Sequence, residues 1–453
     1  MNKSVIKFGT DGWRGLMDAD FTFDNVRLVT QALVDYLKHQ GVADKGVAVS
    51  YDNRLHSEDF AQAAAEVCSG AGIKVFLTNA AAPTPVLSYA VKNLGLAAGI
   101  MITASHNPPA WNGFKIKEAI GSSAFPETTK GVEAALKDTL EIVPSENNIE
   151  IFDPKPAYFA KIKSLVNIDL INKSNLKPVI DAMHGSGASY FAALGLEVKE
   201  IRGNRDTLFG GVNPEPITVN LIDSMKIVKD YAGANKNNLV GCIVLDGDAD
   251  RLAAIDGSGA FINTHNVFCL LLHHLVVNRQ ISGNVVKTFN LSNLIDLLCS
   301  KYQRKLYVTP IGFKYIADLM LKEDIVMGGE ESGGMGLKGF IPERDGILAG
   351  LTLLELMATE KKTLKQIIDG LMAEHGYFYY NRVDIHTTKA QTTVAGLMSQ
   401  PPVEFAGKKV AKVEMLDGLK FNFSDQAWIL LRASGTEPLL RIYAEGRTPE
   451  DVQ

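Results

Sequence analysis

Short β-branched and apolar runs alternate with stretches of helical period over residues 1–370. The first round predicts strands at 47–52, 73–78 and 97–103, with helices at 57–68 and 84–94. A second round predicts strands at 178–182 and 239–245 and helices at 188–194 and 222–231. The third predicts helices at 266–277, 294–302 and 312–321, with strands at 284–289, 305–309 and 325–327. Alternation of this kind gives largely parallel sheets covered by helices. After a helix at 364–373 the pattern changes to alternating runs at 377–385, 409–416, 420–423, 427–431 and 439–444. Asp417-Gly418 between two of them marks a hairpin turn. The fold class expected is therefore α/β: three related mixed units, 1–150, 151–254 and 255–374, followed by a smaller antiparallel α+β unit, 375–453. Thr448-Pro449-Glu450-Asp451 reads as a helix start, and the expectation is that this last helix is truncated.

Composition narrows the classes. A chain of 453 residues with 46 basic and 51 acidic side chains has a net charge of −5, which argues against a nucleic-acid partner. Apolar runs such as 94–102 and 267–272 fall far short of the ~20 residues a membrane span needs. Residues 1–15 hold no apolar signal core, so no secretion signal is read and a cytoplasmic protein is expected. Cys68, Cys242, Cys269 and Cys299 form no CxxC pair, which fits a reducing compartment better than a disulfide or zinc scaffold.

Four loops carry the chemistry, each just past a predicted strand. The carboxyl ends of parallel strands are where open α/β sheets bind ligands. The first loop, Thr103-Ala104-Ser105-His106-Asn107-Pro108-Pro109, offers Ser105 as a nucleophile; a polar turn capping the next element is the other reading. It lacks the GxSxG elbow of a hydrolase. The second is Asp246-Gly247-Asp248-Ala249-Asp250-Arg251. Its three alternate carboxylates repel one another unless a cation sits among them, and oxygen ligands suit Mg²⁺ or Mn²⁺. An EF-hand is excluded, because Arg251 stands where glycine is required and Gly257 where glutamate is. The third, Gly328-Gly329-Glu330-Glu331-Ser332-Gly333-Gly334, sets carboxylates among glycines, where they accept hydrogen bonds from a polyol. The fourth, Arg432-Ala433-Ser434-Gly435-Thr436-Glu437-Pro438, has the parts of a phosphate cradle; a polar hairpin loop is its plainer reading. His265, His273 and His274 are discarded as metal ligands, since the adjacent pair faces apart on a helix.

With Gly9-Thr10-Asp11-Gly12-Trp13-Arg14-Gly15 ahead of them and Thr309-Pro310-Ile311-Gly312-Phe313-Lys314 between the second and third, these loops closely resemble the α-D-phosphohexomutases. The resemblance spans nearly the whole chain. It implies a four-domain, heart-shaped enzyme with one loop per domain meeting in a central cleft. By similarity Ser105 carries a phosphoryl group, and Asp246, Asp248 and Asp250 bind Mg²⁺ together with that phosphoserine. Glu330 and Ser332 would hold sugar hydroxyls, while Arg432, Ser434, Gly435 and Thr436 would hold the phosphate not being transferred. Arg14, Lys115 and Lys314 match basic positions facing the cleft; Lys115 and Arg251 would help offset the phosphoserine charge. Lys115, then His106, is expected to move the hydroxyl proton. The reaction implied interconverts hexose 1-phosphate and hexose 6-phosphate through a hexose 1,6-bisphosphate, with glucose 1,6-bisphosphate as intermediate and activator.

Thr103-Ala104 before the serine and Glu330-Glu331-Ser332 in the sugar loop favour glucose first and mannose second, since glucosamine-type relatives carry serine-alanine and a glutamine there. Many bacterial relatives place a histidine before Ile-Pro-Glu, where this chain has Phe340. Phosphomannomutase and phosphoglucosamine mutase are the alternatives, a sugar-phosphate phosphatase a weaker one, and a kinase is set aside for want of a P-loop. Partners expected are small sugar phosphates, for a monomer or dimer, with no nucleic acid and no membrane.

Overall fold

The computed structural model describes residues 3–434 and 438–453. Four sheets follow one another along the chain. In the first, Val47–Tyr51, Val75–Thr78, Ala98–Ile102 and Ile149–Phe152 run parallel, and Trp111–Glu118 then Trp13–Leu16 extend the Ala98–Ile102 edge antiparallel. In the second, Leu176–Asp181 lies parallel to Lys199–Ile201 and Leu239–Leu245, and Leu252–Asp256 returns antiparallel on Leu239–Leu245. The third centres on Asn284–Thr288, parallel to Leu306–Thr309 and Ile325–Gly329, with Met335–Leu337 folded back on Ile325–Gly329. The fourth, from Tyr379–His386 to Leu439–Gly446, is antiparallel throughout.

This topology places the chemistry. Sequence periodicity marks no strand directly after Ala98–Ile102, Leu239–Leu245 or Ile325–Gly329, yet at each the chain reverses into an antiparallel strand. The serine, acidic and glutamate loops are those three reversals. Each hangs between a parallel strand and its antiparallel return, so both ends of the loop are clamped by ladder hydrogen bonds.

Several elements differ from the predicted set. Helix Phe23–His39, capped by the Thr22 side chain, buries Val26, Val29, Leu33 and Leu37 at helical spacing against the first sheet's core. Helix Gly346–Glu360 is buried at every position but its last two, and it packs in the core shared by the second and third units. A helix apolar all round shows no amphipathic period. The helix expected at 188–194 shrinks to Tyr190–Ala193, because Ser189 takes a left-handed φ of 65° just before it. Among the described residues no helix is long and apolar enough to cross a membrane.

Candidate active site

Ser105 stands two residues beyond Thr103, itself the first residue past the buried strand Ala98–Ile102, with a left-handed φ of 52°. Its amide donates to Thr103 Oγ1 (2.8 Å), and the Thr103 hydroxyl donates to Asp52 Oδ2 (2.5 Å). Held this way, Ser105 Oγ donates to Asp246 Oδ2 at 2.7 Å and lies 3.5 Å from His106 Nδ1. The approach of the two loops is close enough to require glycine: a Cβ on Gly247 would come within 2.5 Å of the Ser105 carbonyl oxygen. Burial, together with Arg251, Arg14, Lys115 and Arg54, pushes the His106 imidazole well below its ordinary range, so the ring is neutral.

Asp246, Asp248 and Asp250 are fully buried, and one oxygen from each lies within 4.8 Å of the others. Burial and the other two carboxylates push Asp246 well above the carboxylate range. At Asp248 burial is outweighed by Lys115 and the Thr84 hydroxyl, which hold its carboxylate low. Lys115 Nζ sits 2.8 Å from Asp11, 2.8 Å from Asp248 and 3.0 Å from Asp250. Burial opposes its charge, but the three carboxylates outweigh that and keep it a cation. Asp248 Oδ1 and Asp250 Oδ1 are buried without a hydrogen-bond partner. Two orphaned carboxylate oxygens beside a third aspartate and a serine hydroxyl fit a hard divalent cation, which prefers oxygen ligands.

In the glutamate loop, Glu330 is 6% exposed and faces Arg344, whose Nη1 is 3.5 Å from Glu330 Oε2. Arg344 Nη2 also reaches Asp250 Oδ2 (2.8 Å) and Asp11, so one guanidinium touches three loops. Glu331 turns the other way and accepts from Tyr380 OH (2.7 Å) on Tyr379–His386, which ties this loop to the fourth sheet. Ser332 beside it is half-buried.

The structure thus brings Ser105, His106, Lys115, Asp246, Asp248 and Asp250 together. Arg251 follows directly, donating its amide to Asp246 Oδ1 (3.1 Å) with its guanidinium 3.7 Å from Asp250. Arg14 lies opposite Gly113 in the first sheet and donates to Asn107 Oδ1 of the serine loop. Lys314 is not drawn into this cluster: its ammonium lies over the Tyr315 ring at 5.3 Å. Arg432 pairs with Asp417 at 3.0 Å, and Asp417 also accepts from the Ile311 amide (2.8 Å) just before Gly312. Ser434 donates its amide to Leu439 O (2.8 Å), while Gly435 and Thr436 lie outside the described residues. Phe340 stacks on Tyr89 (5.4 Å) and meets Tyr158 edge-on. The discarded histidines are structural: His265 accepts from the Ser292 amide, His273 pairs with Glu360, and His274 with Glu355.

Residue-by-residue reading missed Asp11, Arg54, Thr84 and Arg344. Asp11 was visible inside a glycine-flanked motif and Arg344 inside the charged triplet Glu343-Arg344-Asp345, but nothing local says which carboxylates they reach.

Comparison with known proteins places this geometry. Models of the phosphoglucomutase/phosphomannomutase alpha/beta/alpha domains I, II and III match residues 5–142, 156–259 and 263–375, and the C-terminal domain matches 394–453. A phosphoglucomutase/phosphomannomutase from Thermococcus kodakarensis is 31% identical, over 98% of this chain and 96% of the relative. A phosphoglucosamine/phosphogalactosamine mutase from Sulfurisphaera tokodaii is 31% identical, over 97% and 95%. The crystal structure of a candidate phosphomannomutase from Thermus thermophilus superposes with a TM-score of 0.87 at 33% identity, covering 98% of this chain and 96% of that one. Four matching domains in order, carried on the sheets described above, make the chain a member of the phosphoglucomutase/phosphomannomutase family, and an enzyme of it.

Proposed function

We propose that this enzyme interconverts hexose 1-phosphates and hexose 6-phosphates, glucose first, through a phosphoserine at Ser105 and a hexose 1,6-bisphosphate. The observation that carries the reading is Ser105 Oγ, 2.7 Å from Asp246 in a cluster of three buried aspartates. Residues 1–150 would supply the phosphoserine, 151–254 the metal loop, 255–374 the sugar loop and 375–453 the phosphate loop. Mg²⁺ held by Asp246, Asp248, Asp250 and the phosphoserine would supply positive charge against the phosphate oxygens.

The transfer breaks the bond between phosphorus and Ser105 Oγ and forms one to a sugar hydroxyl, whose proton leaves to the neutral His106. Lys115, which Asp11, Asp248 and Asp250 keep a cation, could take it only after giving up a proton of its own, for instance to the departing Ser105 Oγ. Arg14, Arg251 and Lys115 offset phosphate charge, which is most of what a loose phosphoryl-transfer transition state needs. The bisphosphate then turns over and returns its other phosphate to Ser105, so glucose 1,6-bisphosphate is both intermediate and activator. Glu330, Ser332 and Lys314 would read the sugar; Arg432, Ser434, Gly435 and Thr436 would hold the phosphate that stays. The substrates are small sugar phosphates of the cytoplasm. The names of its relatives favour a second reading, phosphomannomutase or phosphoglucosamine mutase, which would use the same loops.

A coupled assay on glucose 1-phosphate, mannose 1-phosphate and glucosamine 1-phosphate ranks the sugars, with highest kcat/KM expected for glucose. Intact-mass measurement should show one phosphate adduct that Ser105→Ala removes together with activity. Persistent release of free phosphate instead of isomer would make the protein a phosphatase.

A further inference from the structure

Arg54 follows the buried strand Val47–Tyr51 and is itself fully buried. Its Nε donates to Asp52 Oδ2 (3.1 Å). Nη1 donates to the carbonyls of Pro108 (2.8 Å) and Trp111 (3.1 Å), and Nη2 to those of Ser105 and Asn107 (2.7 Å each). A guanidinium has five N–H donors, and each of them is used. Four of the five acceptors are backbone carbonyls of the serine loop or its exit, gathered on one cation. The same Asp52 accepts from Thr103, which in turn accepts the Ser105 amide, so the loop is fixed at both its carbonyl and its amide. The left-handed backbone of Ser105 is one that non-glycine residues keep only where their surroundings over-determine it.

The neighbouring Asn53 extends the arrangement to the second unit. Its side-chain amide donates to the carbonyls of His184 and Gly185 (2.9 Å each), and the next residue, Ser186, donates its amide to Gly247 O of the acidic loop (3.0 Å). The Arg54 guanidinium lies 4.9 Å from the Phe209 ring of that unit. One turn, Asp52-Asn53-Arg54, therefore braces both partners of the contact between Ser105 and Asp246.

We propose that Arg54 is a positioning residue for phosphoryl transfer: it never meets the sugar, and it sets the direction of Ser105 Oγ by collecting the carbonyls of the loop. The proposal rests on Ser105 as phosphoryl carrier. A lysine in its place has three donors on one nitrogen and cannot span the five acceptors. Misplacing a reacting atom by about 1 Å costs on the order of a hundredfold in rate.

The test compares wild type, Arg54→Lys and Thr103→Val for kcat, KM, the rate at which glucose 1,6-bisphosphate adds phosphate to Ser105 by intact mass, and binding of Mn²⁺ by electron paramagnetic resonance. In Arg54→Lys, kcat and the phosphorylation rate should fall about a hundredfold, with KM and Mn²⁺ affinity within about twofold. Thr103→Val keeps Arg54 but drops the hydroxyl between Asp52 and the Ser105 amide. It should show the same loss confined to kcat, and it decides the matter if Arg54→Lys does not fold. Wild-type kcat and phosphorylation rate in a folded Arg54→Lys, or in Thr103→Val when that variant has to stand in, overturn the proposal. So does a loss spread equally over KM and Mn²⁺ binding. Absence of any phosphate adduct in wild-type protein would instead refute Ser105 as the carrier, and with it the basis of this role for Arg54.

Discussion

A Cβ on Gly334 would lie 2.2 Å from Cδ of Arg344. The absent side chain is the space through which Arg344 reaches Asp250 and Glu330. Gly334→Ala should push Arg344 out of register with both. Because that guanidinium is buried among carboxylates, losing its contacts leaves charges unpaired, so kcat/KM should drop roughly tenfold or more. Steady-state kinetics of Gly334→Ala beside Arg344→Met checks this: the two losses should be similar and should not add in the double variant. Full additivity would separate the two residues.

The acidic loop predicts cation dependence. Chelation with EDTA should abolish activity and Mg²⁺ should restore it, since Asp248 Oδ1 and Asp250 Oδ1 have no hydrogen-bond partner in the cluster. Binding should also raise the melting temperature, because a cation that binds only the folded cluster stabilises it. Asp248→Asn should weaken both effects. Unchanged turnover in excess chelator contradicts the assignment.

Glu330 and Arg432 should separate sugar reading from phosphate holding. Glu330→Ala removes an acceptor whose bonds depend on ring stereochemistry, so the kcat/KM ratio of glucose 1-phosphate to mannose 1-phosphate should change. Arg432→Ala should lower kcat/KM about tenfold to a hundredfold for every hexose phosphate alike, as loss of a charge-assisted contact does. Added glucose 1,6-bisphosphate should partly restore it. The opposite pattern would reverse the two roles.

Lys420 predicts a pH dependence of stability. It is buried between the third and fourth units, donating to Phe289 O (3.0 Å) with its ammonium 4.1 Å from the Trp428 ring. Burial, then Lys287, lowers its pKa to about 7, while Glu445, Asp296 and Glu414 oppose that. A lysine depressed in the folded state carries its full penalty below pH 7, where both states are protonated. Between pH 7 and its ordinary pKa near 10.4 the unfolded chain binds more protons, so stability rises with pH. Denaturant unfolding at pH 7 and pH 9 should show wild type gaining up to about 2 kcal/mol relative to Lys420→Met. Parallel curves would show that Lys420 stays charged.

The sequence alone marked the candidate loops. Buried runs such as Val47–Tyr51 and Ala98–Ile102 declare strands through local composition, and a serine, three aspartates or two glutamates set just past a strand are legible because those signals span only a few residues. It also determined which atoms are on offer. Their partners were decided by tertiary structure, because partnership depends on register between strands far apart in the chain. Trp111–Glu118 runs antiparallel to Ala98–Ile102, setting Lys115 across from Met101; Trp13–Leu16 then sets Arg14 across from Gly113. Lys115 thereby reaches carboxylates of the first and second units, and Arg344 closes the group from the third. Arg54 shows the limit most plainly. Five acceptors from one loop and one aspartate give it a defined place in the fold, yet four of them are backbone carbonyls, which every residue carries and no sequence pattern marks.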